Sequence, residues 1–97
     1  MKFWKYAPAA ALTADGKCEV SSVDQYTYMV RIEGRIFFLT CEHFTNAAGP
    51  AVCIYMSQPI RVLDASGGGS PTEDEVIIIR DALKLAIPLF GRRVEFG

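Results

Sequence analysis

The stretch from Ser70 to Phe90 constrains the fold more than any other part of the sequence, because it carries the signals of a helix start, a buried stripe and a helix end. Ser70 and Glu73 have the spacing of a capping box, and Pro71 stands at the first helical position, where its missing N–H costs nothing. Apolar residues then recur at steps of three and four, which predicts a helix with one buried face. This stripe consists of Val76, Ile79, Leu83, Ala86, Ile87 and Phe90.

The two ends of this helix carry further information. Pro88 removes a backbone donor, so the helix is expected to stop or bend before Gly91. Three acidic residues occupy the first turn, where they complement the helix dipole and oppose the binding of a phosphate. The alternative is that they form an acidic surface for a basic partner, together with Asp81. The three residues are Glu73, Asp74 and Glu75.

A β-hairpin is predicted for residues 26–41, because polar and apolar residues alternate with period two on both sides of Glu33-Gly34. A two-residue turn places Val30 opposite Phe37, and Gly34 is expected to take the positive φ that such a turn needs. This hairpin and the helix are the two elements on which the fold prediction depends.

Further strands are predicted at residues 17–22, 52–57 and 93–96, and residues 60–63 either extend the strand at 52–57 or form another short one. Phe3 to Tyr6 are read as an edge strand or an arm packed on the domain. Ser66 to Ser70 are read as a flexible linker. The predicted fold class is α+β, with residues 1–97 as a single domain. It has a mainly antiparallel sheet of about four to six strands, one C-terminal helix packed on one face, and a short final strand.

Composition narrows the classes of function. Ten basic and eleven acidic residues give a net charge of −1, so no basic footprint for nucleic acid is present. No window reaches about 18 apolar residues, so no membrane span is predicted. Three widely spaced cysteines indicate reduced thiols and a cytoplasmic location, and no cofactor is predicted. Lys5 and Pro8 interrupt the apolar start of the chain, which argues against a signal peptide.

Cys41 and His43 form the one candidate for chemistry. In an extended strand they point to the same side, so they are candidates for a nucleophile with its base or for two metal ligands. Cys53 on a neighbouring strand is the candidate third ligand, although the spacing matches no zinc pattern. The more ordinary interpretation is that the cysteines act as small apolar residues and are metal-free.

The predicted hairpin leaves a second apolar face. Met29, Ile36 and Phe38 lie on the side opposite Val30 and Phe37. Because one helix covers only one face of a sheet, this second face is expected to be shielded by the N-terminal arm, through Phe3 and Trp4, or by another copy of the protein. A homodimer is therefore one of the predicted assemblies.

Several segments resemble the small immunity proteins of bacterial polymorphic-toxin systems. They are Ile32-Glu33-Gly34-Arg35, the strand into Ser57 with Pro59-Ile60, Pro71-Thr72-Glu73, and Arg93-Val94-Glu95-Phe96. The chain departs from that family at Arg61 to Gly69, and no functional residue is carried over. The resemblance implies an inhibitor that acts by binding a protein.

Three hypotheses about function follow. The first is a non-enzymatic protein-binding domain, of which an immunity-type inhibitor is one form, that uses a sheet face (Met29, Ile36, Phe38) or the acidic helix start (Glu73, Asp74, Glu75). The second is a small thiol- or metal-dependent enzyme that uses Cys41 and His43. The third is a small-molecule regulatory domain, which needs a pocket.

Overall fold

The computed structural model describes residues 1–63 and 69–97 of the chain. It is an α+β fold with one curled sheet, one C-terminal α-helix and one 3₁₀ turn. The strands are β1 (Phe3–Ala7), β2 (Ala10–Thr13), β3 (Cys18–Asp24), β4 (Thr27–Ile32), β5 (Arg35–Asn46), β6 (Gly49–Ile54), β7 (Arg61–Leu63) and β8 (Arg93–Phe96). Helix α1 (Glu73–Ala86) runs into the 3₁₀ turn Ile87–Phe90.

Strand β5 joins the two halves of the sheet. Its first half pairs with β4 on one side and with β7 on the other, and its second half pairs with β6. The order of the sheet is β1-β2-β3-β4-β5-β6-β8, with β7 beside β5. All pairs are antiparallel except β6 with β8, because α1 carries the chain back to the same end of the sheet before β8 begins.

The predicted hairpin is confirmed, since Val30 lies opposite Phe37 across the turn. One detail is wrong: Glu33, at φ 54°, takes the left-handed conformation, and Gly34 does not. The alternation of β4 and β5 then sends one set of side chains towards α1. The fully buried members of this set are Tyr28, Val30, Phe37, Leu39 and Cys41.

The predicted start of the helix, within a residue or two of Ser70 to Thr72, is confirmed, but the capping box is not the one predicted at Ser70 and Glu73. Thr72 is the N-cap, its hydroxyl accepts from the backbone N–H of Glu75, and the Glu75 carboxylate accepts from the backbone N–H of Thr72. The sequence contains two overlapping boxes, and only the second places its glutamate beside Arg35. That long-range ion pair favours the later start.

The buried face of α1 is confirmed at Ile79, Leu83 and Ala86, while Val76 is half-buried at the margin. These side chains pack on the sheet in one hydrophobic core. The predicted stop at Pro88 is also confirmed, because the α-helix gives way to the 3₁₀ turn and Gly91 ends it at φ 77°.

The number of strands in the described part of the chain differs from prediction. The sheet has eight strands rather than about four to six, because residues 10–13 form β2 and residues 61–63 pair separately with β5. Ala10 and Ala11 have low strand propensity, and the pairing of β2 with β1 on one side and with β3 on the other overrides it. Most of the predicted linker at Ser66 to Ser70 lies outside the described residues.

The aromatic start of the chain forms the edge strand β1 and not a separate arm. Phe3 points into the core and is 6% exposed, whereas Trp4 is on the opposite side and is 51% exposed. The arm therefore widens the sheet and does not cover its second face, so the expectation that Phe3 and Trp4 shield that face is wrong.

Candidate functional site on the outer face of the sheet

We call the sheet surface that points away from α1 the outer face. Among residues 1–63 and 69–97, no helix or strand packs over it, because α1 lies on the other side and every strand belongs to the sheet itself. Uncovered apolar sheet surface is unusual in a monomer and is typical of a place where another molecule binds.

A row of six side chains crosses the outer face from one edge to the other. Each neighbour in the row is the paired residue on the next strand of the sheet. Since paired residues on adjacent strands point to the same side, the six side chains form a continuous line. The row, in spatial order, is Trp4, Leu12, Glu19, Arg31, Ile36 and Leu63.

The middle of the row is an ion pair. Arg31 Nε lies 3.4 Å from Glu19 Oε1, and the two side chains are 26% and 21% exposed. The Tyr6 hydroxyl also donates to the Glu19 carboxylate. Arg31 donates further to the carbonyl oxygens of Gly16 and Glu33, at 2.9 and 3.2 Å. The charges are thus paired within the chain, and this lowers the cost of covering the row.

Met29, Ile36 and Phe38, which the sequence placed on a second face, are neighbours on the outer face. Met29 is paired with Phe38, and Ile36 is the row member beside Arg31. All three are half-buried, and the guanidinium of Arg61 stacks over the Phe38 ring at 4.7 Å. They form the apolar centre of one half of the face.

The acidic helix start is a weaker candidate than its sequence indicates. Glu75 lies 2.7 Å from Arg35 Nε and also closes the capping box, so its charge serves the fold. The capping hydrogen bond and Arg35 hold the pKa of the Glu75 carboxyl below its usual value. Glu73 and Asp74 remain exposed to solvent, which leaves two of the three predicted acids for a partner.

The structure separates the members of the proposed thiol or metal site. Cys41 and His43 do share the core side of β5, but the residue paired with Cys53 is Glu42, so Cys53 points to the opposite side. Within the described part of the chain, no three His, Cys, Asp or Glu residues lie close enough to hold a metal ion. The third ligand suggested by the sequence is therefore absent from this site.

Cys41 and His43 both lie against the backbone carbonyl oxygen of Gln25. Cys41 is 1% exposed, and burial raises the pKa of its thiol to about 11. The Nδ1 atom of His43 lies 3.0 Å from the carbonyl oxygen of Gln25 and must donate, because a carbonyl only accepts. The Nε2 atom is buried and has no hydrogen-bond partner among the described residues.

We expect the three free cysteines to react in the order of their exposure. Iodoacetamide added to folded protein should modify half-buried Cys53 first, and Cys18 and Cys41 only after denaturation, since burial raises the pKa of each of these two thiols to about 11. Mass spectrometry of the alkylated peptides measures this order.

Near-stoichiometric zinc or iron in elemental analysis, lost on Cys41→Ala or His43→Ala, would contradict the assignment of these residues to the core.

A groove of about 680 Å³ lies where β1, the turns after β2 and β4, and α1 meet. Its apolar walls include Cys18, Ile32 and Ile78, and its rim carries charges of both signs, among them Lys17 and Glu33. The volume is within the usual range for small-molecule sites. Trp4 borders both this groove and the outer face.

Sequence reasoning found Ile36 of the row, with Met29 and Phe38 beside it, but missed Leu12, Glu19, Arg31 and Leu63. Leu12 belongs to a segment with no clear pattern of polar and apolar residues. Leu63 lies on the face only because β7 pairs with β5, which brings Leu63 beside Ile36 although the two are 27 residues apart in the sequence. The alternation of Glu19 and Arg31 with Val20 and Val30 was a signal that could have placed the ion pair on this side.

Comparison of the chain with protein-family models, with curated proteins and with solved structures finds no match. In residues 1–63 and 69–97, no helix has the length and apolar character needed to cross a bilayer.

Proposed function

We propose that this protein is a non-enzymatic protein-binding domain and that its binding surface is the outer face of the sheet. The observation that carries the proposal is the row from Trp4 to Leu63, which no helix or strand of the described residues covers, together with Met29 and Phe38 beside it. Aromatic, Met and Arg side chains around an apolar centre are the residues that dominate protein interfaces.

The alternative of a thiol- or metal-dependent enzyme has less support. A thiol with a pKa of about 11 is ionised in roughly one molecule in 10⁴ at pH 7, so Cys41 is a poor nucleophile. A binding function makes no demand on Cys41 or His43 beyond packing. The free thiols also support the proposed cytoplasmic location, where such groups stay reduced.

The partner should present a largely apolar surface with little net charge. The Glu19–Arg31 pair at the middle of the face is neutral as a unit, so a strongly charged partner gains nothing there. An inhibitor of a toxin, as the resemblance to immunity proteins implies, is the narrower form of the proposal. Glu73 and Asp74 are the secondary surface, suited to basic groups at the rim of such a complex.

Affinity capture with matched variants tests the proposal. Phe38→Asp places a charge in the apolar half of the face, beside Met29, and should abolish capture of any stoichiometric partner from native lysate. Leu85→Asp, on a helix position that is 46% exposed and far from the face, is the control and should leave capture unchanged. Equal capture by both variants would show that the outer face is not the binding surface.

The groove favours a second candidate function, the binding of a small apolar molecule. We expect the dye 1-anilinonaphthalene-8-sulfonate to bind the folded protein and Ile78→Asp to weaken that binding about tenfold or more, because Ile78 lines the groove. The neighbouring Ile77→Asp is the control, since Ile77 is 59% exposed and does not line the groove. Fluorescence titration that gives the same dye affinity for both variants would remove this candidate.

A further inference from the structure

The row of side chains on the outer face has a symmetrical order. It runs apolar, apolar, acidic, basic, apolar, apolar from β1 to β7, as Trp4, Leu12, Glu19, Arg31, Ile36 and Leu63. Reversing the row keeps the character of every outer position and exchanges acid for base at the centre. A surface with this property is complementary to a second copy of itself.

From this order we infer that the outer face binds a second copy of the chain, with the two sheets packed face to face. The two-fold axis lies between the sheets, runs parallel to the strands and passes over the gap between β3 and β4. This inference rests on the proposed function, because it names the partner of the same surface.

The pairing across this axis follows from the register. Rotation by half a turn about an axis parallel to the strands reverses the strand order of the second copy. Leu12 of one copy then faces Ile36 of the other, and Trp4 lies near Leu63. Aligned sheets cross at about 30°, so the central pairs stay opposed while the outer pairs shift by a few ångströms.

The ion pair at the centre gains a partner across the axis. Glu19 of each copy comes to lie over Arg31 of the other, so the four charges alternate in sign around the axis. Each charge is already paired within its own chain, and the second contact adds attraction without exposing an unpaired charge to the apolar interface. A rotation axis perpendicular to the strands would instead bring Glu19 towards Glu19 and Arg31 towards Arg31.

The size of the face predicts a weak dimer. Six strands spaced about 4.8 Å apart give a width of about 24 Å, and about four residues along each strand give a length of about 13 Å. The flat footprint is therefore roughly 300 Å², well below the roughly 800 Å² of accessible surface per partner in a standard interface. The dissociation constant is therefore expected to lie between about 10 μM and about 1 mM.

Exchange of the two central charges between copies tests the inference. A chain with Glu19→Arg has two basic side chains at the axis, and a chain with Arg31→Glu has two acidic ones, so each should fail to pair with itself. An equimolar mixture should pair, because every charge across the axis then meets its opposite. Sedimentation at about 10 μM to about 1 mM should give the mass of a dimer for the wild type and for the mixture. Each variant alone should give the mass of a monomer.

A second pair of variants covers the case in which the charge variants fold poorly. Leu63→Asp, at a strand position that is 57% exposed, should hold the protein at one-copy mass, and Leu85→Asp on the helix should dimerise as the wild type does. The inference would be overturned if the wild type kept the mass of a monomer over the whole concentration range. It would also be overturned if the mixture showed no greater mass than each variant alone. If Phe38→Asp still abolished capture of another protein in that case, the proposed binding function would stand with a different partner.

Discussion

Replacing Leu83 with alanine is expected to lower the free energy of unfolding by about 2–5 kcal/mol, which is a large part of the stability of a domain this small. Leu83 is fully buried between α1 and the sheet, and the substitution removes apolar contacts and leaves a cavity. Urea or guanidinium denaturation followed by circular dichroism measures the change.

The control for this experiment lies two residues further along the same helix. Leu85 is 46% exposed, so Leu85→Ala should change the free energy of unfolding by less than about 0.5 kcal/mol. Both substitutions keep a strong helix former in place, and the difference between them therefore reports packing and not propensity. Equal losses, or a loss below about 1 kcal/mol for Leu83→Ala, would show that another face of α1 packs on the sheet.

Phe37→Ala is expected to cost about 3–5 kcal/mol, whereas Phe38→Ala should cost about 1 kcal/mol or less in the isolated monomer. The two residues are adjacent in β5 and point to opposite sides of the sheet. Phe37 is fully buried in the core, and Phe38 is half-buried on the outer face beneath Arg61.

Chemical denaturation at low micromolar concentration measures this pair of losses without interference from association. The larger loss must belong to Phe37 if the register Val30 to Phe37 is correct. The reverse order would mean that β5 is shifted by one residue, which would turn every side chain of the strand to the other face.

The elements that sequence reasoning predicted correctly are those determined by local signals. The register of β4 and β5 is determined by the turn at Glu33-Gly34 and by the alternation of polar and apolar residues on either side of it. The stripe that includes Ile79 and Leu83 determines which side of α1 is buried. Each signal lies within one short continuous stretch of the sequence and needs no information from the rest of the chain.

The features that sequence reasoning missed depend on contacts between distant segments. The choice of Thr72 over Ser70 as N-cap reflects the pairing of Glu75 with Arg35, 40 residues away. The position of Cys53 follows from the β5–β6 register, which determines that it faces away from Cys41. The full row on the outer face requires the order of six strands, which no local pattern contains.

Trp4 is the sole tryptophan of the chain, and it provides the most direct test of the claim that the outer face is a protein-binding surface. Its side chain is 51% exposed in the single chain and stands at the end of the row. Quenching of its fluorescence by acrylamide can be measured from about 10 μM to about 1 mM protein. We predict that quenching falls and emission moves to shorter wavelength as wild-type concentration rises, while Phe38→Asp shows neither change. Two results would contradict the claim that the outer face binds protein. They are equal quenching of wild-type Trp4 at about 10 μM and at about 1 mM protein, and equal quenching with and without a captured partner.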